Sequence, residues 1–532
     1  MARSRALSIL VILPSLLACS ASSGVEAEDD RSCGAGCDRA AAGGASASRM
    51  PGVAGFPQGA AGAAGAILGA AAHATAGGAG QSAGGSSSAS GSSASGGKAG
   101  TSAGGGKGGA SAGGKGGAAG APSSGGVGGA AGSAPSGGGA GSKAGAGGEP
   151  AAGSARVIGY FAAWSVYGRD YHVADLPAAQ LTHVNYAFAN VSAAGEIELG
   201  DPYADTDKAY PGDGWEPGQR RGSFHQLELL KQKHPHLKAM ISVGGWTWSG
   251  RFSDVALTAA SRKKFAASCA AFVEAWGFDG VDVDWEYPVT GGLDTNQRRP
   301  EDGHNYTLLL AELRQALDQK GEALGRRLEL SIAAPAGPAI YEGMELAELS
   351  KSTDFINIMA YDFQGGWSPR TGFNAPLYAA PEDPSPASER DSLNVAAAAS
   401  AYAARGVARD KIVIGVPFYG RGWAGVTPTH AGLFQPFSGL PQGTWEAGVF
   451  DWKDLAANYL PKATRTFHAG AQVPWLFDAK SGLMISYDDP ESIGLKAGYV
   501  KQEGLGGVMI WEMSGDDDQR SLLTAVTHAL AP

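Results

Sequence analysis

Eight continuous apolar runs recur through the last two thirds of this chain, and they constrain its fold more than any other feature. They occupy residues 156–162, 183–189, 238–245, 280–286, 328–334, 355–363, 411–418 and 507–513. Unbroken Val, Ile, Ala and Phe runs suit parallel strands covered on both faces. Segments of helical period separate most of them, at 224–233, 259–276, 306–320, 393–405 and 490–503. A shorter, weaker one spans 342–351. Eight β/α units in series predict an α/β protein of the (β/α)8, or TIM, barrel class. Residues 423–486 break the alternation with Gly, Pro, Trp and Phe and a short strand-like run at 483–487. They fall between the seventh strand and its helix, so they predict a small α+β insertion on the face where barrel active sites form. A second long loop, 190–222, follows the second strand on that face. Two raised walls predict a groove.

The barrel pattern occupies only 154–532. Residues 1–22 read as a secretory signal, with Arg3 and Arg5 before an apolar run at 7–17. That run is too short for a usual membrane span. Leu16-Leu17-Ala18-Cys19 is similar to a bacterial lipobox, in which Cys19 would carry the lipid. Residues 23–153 are dominated by Gly, Ala and Ser and cannot bury enough apolar surface to offset ordering entropy. They read as a flexible tether spanning roughly 60 Å. The expected location is secreted or at a bacterial cell surface, with the membrane touched only through Cys19. A formal charge of −10 with no basic run in the globular part predicts no nucleic-acid partner. Cys33 and Cys37 could pair locally, and Cys269 sits on an apolar helical face as a core residue. A monomer is expected.

The fourth run carries the chemistry. It reads Gly280-Val-Asp-Val-Asp-Trp-Glu286, and side chains alternate along a strand, so Asp282, Asp284 and Glu286 share a face. Clustered carboxylates repel, so one should keep its proton near neutral pH and serve as a general acid. Glu286, at the strand's end, is the candidate. Closely spaced carboxylates also bind magnesium or calcium, which is the bland alternative. Asp279 is offset by three from Asp282 and is expected to be structural.

In a barrel, strand C-termini converge on one face. Tyr160 and Trp164 lie at the first strand's end, Gly245 and Trp246 at the third, and Tyr287 just past the fourth. Met359, Tyr361 and Asp362 close the sixth, with Trp367 beyond; Arg421 follows the seventh, and Trp511 ends the eighth. An acid ringed by Tyr and Trp suits a sugar, whose C–H faces stack on aromatic rings. Phe161 and Phe188 are expected only to fill the barrel.

These residues resemble a known family. Asp279, Asp282, Asp284 and Glu286 are in register with the Asp-x-x-Asp-x-Asp-x-Glu signature of glycoside hydrolase family 18, the chitinases. Ser242-x-Gly-Gly245, Met359-x-Tyr-Asp362, Gly415-Val-Pro-Phe-Tyr-Gly-Arg421 and Gly506-Gly-Val-Met-Ile-Trp-Glu-Met513 support the match. Gly244-Gly-Trp-Thr-Trp248 and Gly291-Gly-Leu-Asp294 are similar to the bacterial chitinase A1 type. The resemblance implies hydrolysis of β-1,4-linked N-acetylglucosamine polymers, with no cofactor and no metal. It implies substrate assistance rather than the two-carboxylate scheme. Glu286 would protonate the glycosidic oxygen, and the sugar's own acetamido carbonyl would attack to give an oxazolinium ion. Asp284 would stabilise that cation, Tyr361 would hold the acetamido oxygen, and Asp282 would share a hydrogen bond or proton with Asp284. Trp511 would floor the subsite, Asp362 and Arg421 would hold a distorted ring, and Tyr287 would line it. Tyr160, Trp164, Gly245, Trp246, Met359 and Trp367 would complete the binding surface. A chitin-binding lectin that does not cleave, or an endo-β-N-acetylglucosaminidase on other glycans, are the alternatives.

Overall fold

The computed structural model describes residues 155–214, 216 and 218–531. The segments read above as a secretory signal and a tether, with Cys19, Cys33 and Cys37, lie outside the described residues. The strands are β1 (Arg156–Ala162), β2 (His183–Val191), β3 (Lys238–Gly244), β4 (Gly280–Asp284), β5 (Glu329–Pro335), β6 (Phe355–Met359), β7 (Ile412–Pro417), β8 (Tyr419–Trp423), β9 (Val449–Asp451), β10 (Thr464–His468), β11 (Val473–Asp478), β12 (Leu483–Ser486) and β13 (Gly507–Trp511). β1 to β7 and β13 are parallel, and β1 pairs with both β2 and β13, which closes the (β/α)8 barrel. The main helices are α1 (Gly222–Lys233), α2 (Ala259–Trp276), α3 (Asp302–Leu324), α4 (Leu346–Ser352), α5 (Val395–Ala404), α6 (Pro490–Gln502) and α7 (Ser521–Leu530). The crossover from β1 to β2 uses only short 3₁₀ turns, at Ala163–Val166, Val173–Asp175 and Ala178–Gln180.

Local signals set the helix ends. Thr258 accepts from the Ser261 amide at the start of α2, and Gly277 ends it in a left-handed conformation. Asp489 accepts from the Glu491 and Ser492 amides at the start of α6, with Pro490 in the first turn. The barrel strands are buried along nearly their whole length, as continuous apolar runs require. One core fills the space between barrel and helices, and a second fills the barrel's interior.

Among the runs that stop short of the sequence expectation, two bear directly on the site. β6 ends at Met359 rather than at residue 363, because Asp362 adopts a left-handed backbone (φ 58°) and donates its N–H to Asn374 Oδ1 at 3.1 Å. β4 ends at Asp284, so Glu286 lies two residues beyond the ladder. The segment after β7 forms a five-stranded antiparallel sheet in the order β9-β8-β12-β11-β10, with its own apolar core. Its first strand starts at Tyr419, upstream of residue 423. Gly420 and Gly422 alternate with Tyr419 and Arg421 in β8. A Cβ on Gly422 would meet the Phe450 ring at 2.6 Å, so the bulky side chains are confined to the opposite face.

Candidate active site

β4 places Asp282 and Asp284 inside the barrel, and the loop after β3 shapes the chain beyond Asp284. Gly244 (φ 108°) approaches so closely that a Cβ would stand 2.3 Å from the Asp284 carbonyl oxygen. Gly245 (φ 80°) donates its N–H to that carbonyl at 2.8 Å, and a Cβ there would meet the Phe188 ring at 2.8 Å. Only glycine fits these two positions without strain. The Glu286 N–H donates to Ser249 Oγ at 2.8 Å, and Asn296 Nδ2 donates to the Glu286 carbonyl at 3.0 Å. The backbone of Glu286 is therefore held from both sides after the strand has ended.

The three carboxyl groups are nearly inaccessible: Asp282 is 0 %, Asp284 4 % and Glu286 5 % exposed. Asp282 is the best solvated by protein. Its Oδ2 accepts from the hydroxyls of Tyr160 at 2.6 Å and Ser242 at 2.8 Å, and its Oδ1 from Ser331 at 2.6 Å and Asn357 Nδ2 at 3.3 Å. Burial raises its pKa, and these four donors pull it back. Asp284 has no such set; burial and then the charges of Glu286 and Asp282 hold its pKa well above the carboxylate range. Burial pushes Glu286 to about 7, against a hydrogen bond from Tyr287 that lowers it, with the Asp362 charge adding to the rise. Asp284 Oδ1 and Glu286 Oε2 are buried without a hydrogen-bond partner.

Aromatic side chains surround this column. Tyr160, Phe188, Tyr287, Met359, Tyr361 and Trp511 belong to one cluster inside the barrel, with Trp164 and Trp246 half-buried against it. Trp511 stacks on Phe188 (centroids 5.8 Å, 23°) and meets the Tyr160 ring edge-on at 5.4 Å. Across the site, Asp362 Oδ1 accepts from Tyr419 Oη and Arg421 Nε, both at 2.7 Å. The Arg421 guanidinium lies over the half-buried Trp367 ring, 4.9 Å from its centroid. Asp362 Oδ2 and Arg421 Nη2 are also buried without partners. Among the described residues, no group of three or more His, Cys, Asp or Glu is arranged to hold a metal ion.

The sequence profile of glycosyl hydrolases family 18 matches residues 156–516. The chain belongs to this family. It is 45% identical to chitinase A1 of Niallia circulans over 400 residues, covering 69% of this chain and 57% of that one. The chain thus spans just over half the length of that relative. It is 42% identical to chitinase 1 of Aphanocladium album, covering 69% of this chain and 84% of that one. Among solved structures, a chitinase from Bacillus thuringiensis superposes with a TM-score of 0.67 at 41% identity, covering 71% of this chain and 70% of that one.

Asp282, Asp284, Glu286 and the residues expected to bind substrate lie at the C-terminal face of this family 18 barrel or just inside it, whereas Asp279, Phe161 and Cys269 lie elsewhere and Cys19 is outside the described residues. Two differ in local setting from the simplest expectation, and a third, Asp279, matches it. The Tyr160 hydroxyl is committed to Asp282. Phe188 is not passive filling, because it is the platform beneath Trp511 and the reason position 245 is glycine. Asp279 does face away, accepting from the Ala239 N–H and pairing with Lys231 and Arg326 outside the barrel. The sequence reading missed Ser242, Ser249, Ser331, Asn357, Asn374 and Tyr419 as supporting groups. The available signal was register: Ser242, Asp282 and Ser331 are adjacent partners across β3, β4 and β5.

Proposed function

We propose that this family 18 protein is a chitinase, hydrolysing β-1,4-linked N-acetylglucosamine chains with retention through substrate assistance. The observation that carries the reading is the setting of Glu286: a buried carboxyl with Oε2 unpartnered, which burial pushes up to about 7 against a hydrogen bond from Tyr287. A group of that kind is protonated when the glycosidic oxygen must be protonated and can accept a proton in the second step. Asp284, buried beside it with Oδ1 unpartnered, suits the acetamido N–H and the positive charge of an oxazolinium ion. Tyr361, inside the same cluster, presents a hydroxyl that meets the Met509 sulfur at 4.0 Å. So weak a contact leaves it able to turn to the acetamido oxygen. Trp511 gives the reacting sugar an apolar floor, and the Asp362–Arg421 pair offers Oδ2 and Nη2 to ring hydroxyls. Trp164, Trp246 and Trp367 extend the aromatic surface to neighbouring sugars. The names of the relatives support the same substrate class.

The N-terminal sequence supports a secreted or surface location, with Cys19 as the lipid attachment point and residues 23–153 as a tether ahead of the barrel at 154–532. The test of function is hydrolysis of N-acetylchitotetraose beside its fully deacetylated counterpart. Cleavage of the acetylated chain alone is expected, because the acetamido group is the nucleophile. Equal cleavage of both, or tight binding without cleavage, would overturn the reading.

A further inference from the structure

The four hydrogen bonds to Asp282 come from four different strands and reach both of its oxygens: Tyr160 on β1, Ser242 on β3, Ser331 on β5 and Asn357 on β6. A carboxylate offers about four lone-pair directions, and protonation consumes one of them. All four are occupied here by donors. The Asn357 amide is oriented with its nitrogen on Asp282 and its oxygen left buried without a partner. Tyr160 and Ser242 hold the Oδ2 side; Ser331 and Asn357, which no motif of the chain marks, hold the Oδ1 side. The titratable groups that feel Asp282 are Asp284 on its own strand, Tyr160 on β1, Tyr306 on α3 and Tyr361 beyond β6. No cation is among them, so the ion is held by dipoles alone.

We infer that Ser331 and Asn357 are positioning residues which, by filling the second oxygen of Asp282, keep it a fixed anion and leave the catalytic proton to Asp284 and Glu286. The inference rests on the catalytic roles proposed above for those two carboxyls. Asp282 then acts on Asp284 through its charge, without taking the proton itself. Ser331→Ala removes the shorter Oδ1 bond, so Asp282 competes for the proton and its charge no longer holds one on its neighbours. The basic limb of kcat against pH should move down by about one pH unit, a tenfold change in proton affinity, while KM stays within about twofold. Ser331→Thr, which restores a hydroxyl, should return the limb to its original place. A loss of thermal stability with an unmoved basic limb would make Ser331 merely structural and overturn the inference.

A readout independent of turnover separates failure of this inference from failure of the chitinase reading. With ¹³C-labelled Asp in the unmutated protein, and Asp282→Asn to assign the signal, the Asp282 carboxyl should remain ionised from pH 8 down to pH 5. A protonated Asp282 in that range would overturn the inference even if Ser331→Ala did not fold. An ionised Asp282 in a protein that cleaves no acetylated oligosaccharide would uphold the clamp and sink the function.

Discussion

Glu286 and Asp282 show how one short stretch of chain gives chemically related groups opposite surroundings. Both are buried, yet Asp282 has four donors and Glu286 only the Tyr287 hydroxyl to set against burial. The difference is set by neighbours that lie far away in sequence. Glu286 at about 7 predicts that kcat/KM falls as pH rises through 7, when the general acid loses its proton. Asp284 and Glu286 lie side by side, so the transition near 7 belongs to the pair rather than to either residue alone. A pH profile on a chitotetraose substrate checks it; a flat profile from pH 6 to 9 would contradict the assignment. Asp282 and Asp284 were legible because strand periodicity puts them on one face, whereas Glu286 lies past the strand's end and is set by Ser249 and Asn296. Ser331 and Asn357 were not, because a single polar residue in an apolar run has no meaning until register brings it to its partner.

At the scale of elements, the barrel strands were legible because parallel strands covered on both faces need unbroken apolar runs, which periodicity detects directly. The insertion sheet was harder. Its strands are short, and β9 and β10 sit at opposite edges of a sheet whose order departs from the chain order, so local pattern carries little of it. The left-handed Asp362 that cuts β6 short is likewise fixed by Asn374, a residue outside the strand. A buried ion pair lies at the junction from the insertion back to the barrel, beside the Arg465 pairs with Asp489 and Glu491. Lys496 on α6 reaches both oxygens of Asp488 at 2.6 Å, and both side chains are fully buried. Burial drives each toward neutrality, lowering the lysine pKa and raising that of the aspartate. Lys496→Met should destabilise the fold by about 3–5 kcal/mol by stranding Asp488, and the double change with Asp488→Leu should recover most of the loss. Urea unfolding of the three proteins measures this. A single mutant as stable as the parent would show the pair to be dispensable.

For the whole molecule, opposite charge effects at the two ends of the barrel set the pH range of stability. At the N-terminal end, burial raises the Glu329 pKa, but His183 and Lys238 outweigh it and hold it at about 2. A folded pKa below the unfolded 4.5 contributes stability at pH above 4.5 that is lost as pH falls toward 2, worth about 3 kcal/mol. Glu286 at about 7, with Asp205 at about 7 and Asp516 at about 6, is raised by burial and works the other way. Their contribution is complete below the unfolded carboxylate pKa and is lost as pH rises through the folded values. Stability should therefore peak on the acid side of neutrality. Glu329→Gln should flatten the fall between pH 4.5 and 2 in thermal unfolding, and an unchanged acid limb would show that Glu329 does not set it. The molecule as a whole serves one column of buried carboxyls, and its chemistry is read most plainly from its products. The decisive measurement is hydrolysis of tri- and tetra-N-acetylchitooligosaccharides, with product anomers resolved and Glu286→Gln run alongside. Substrate assistance with Glu286 as the acid requires the β-anomer as first product and loss of cleavage in the mutant. The α-anomer as first product, or undiminished cleavage by Glu286→Gln, would refute that mechanism.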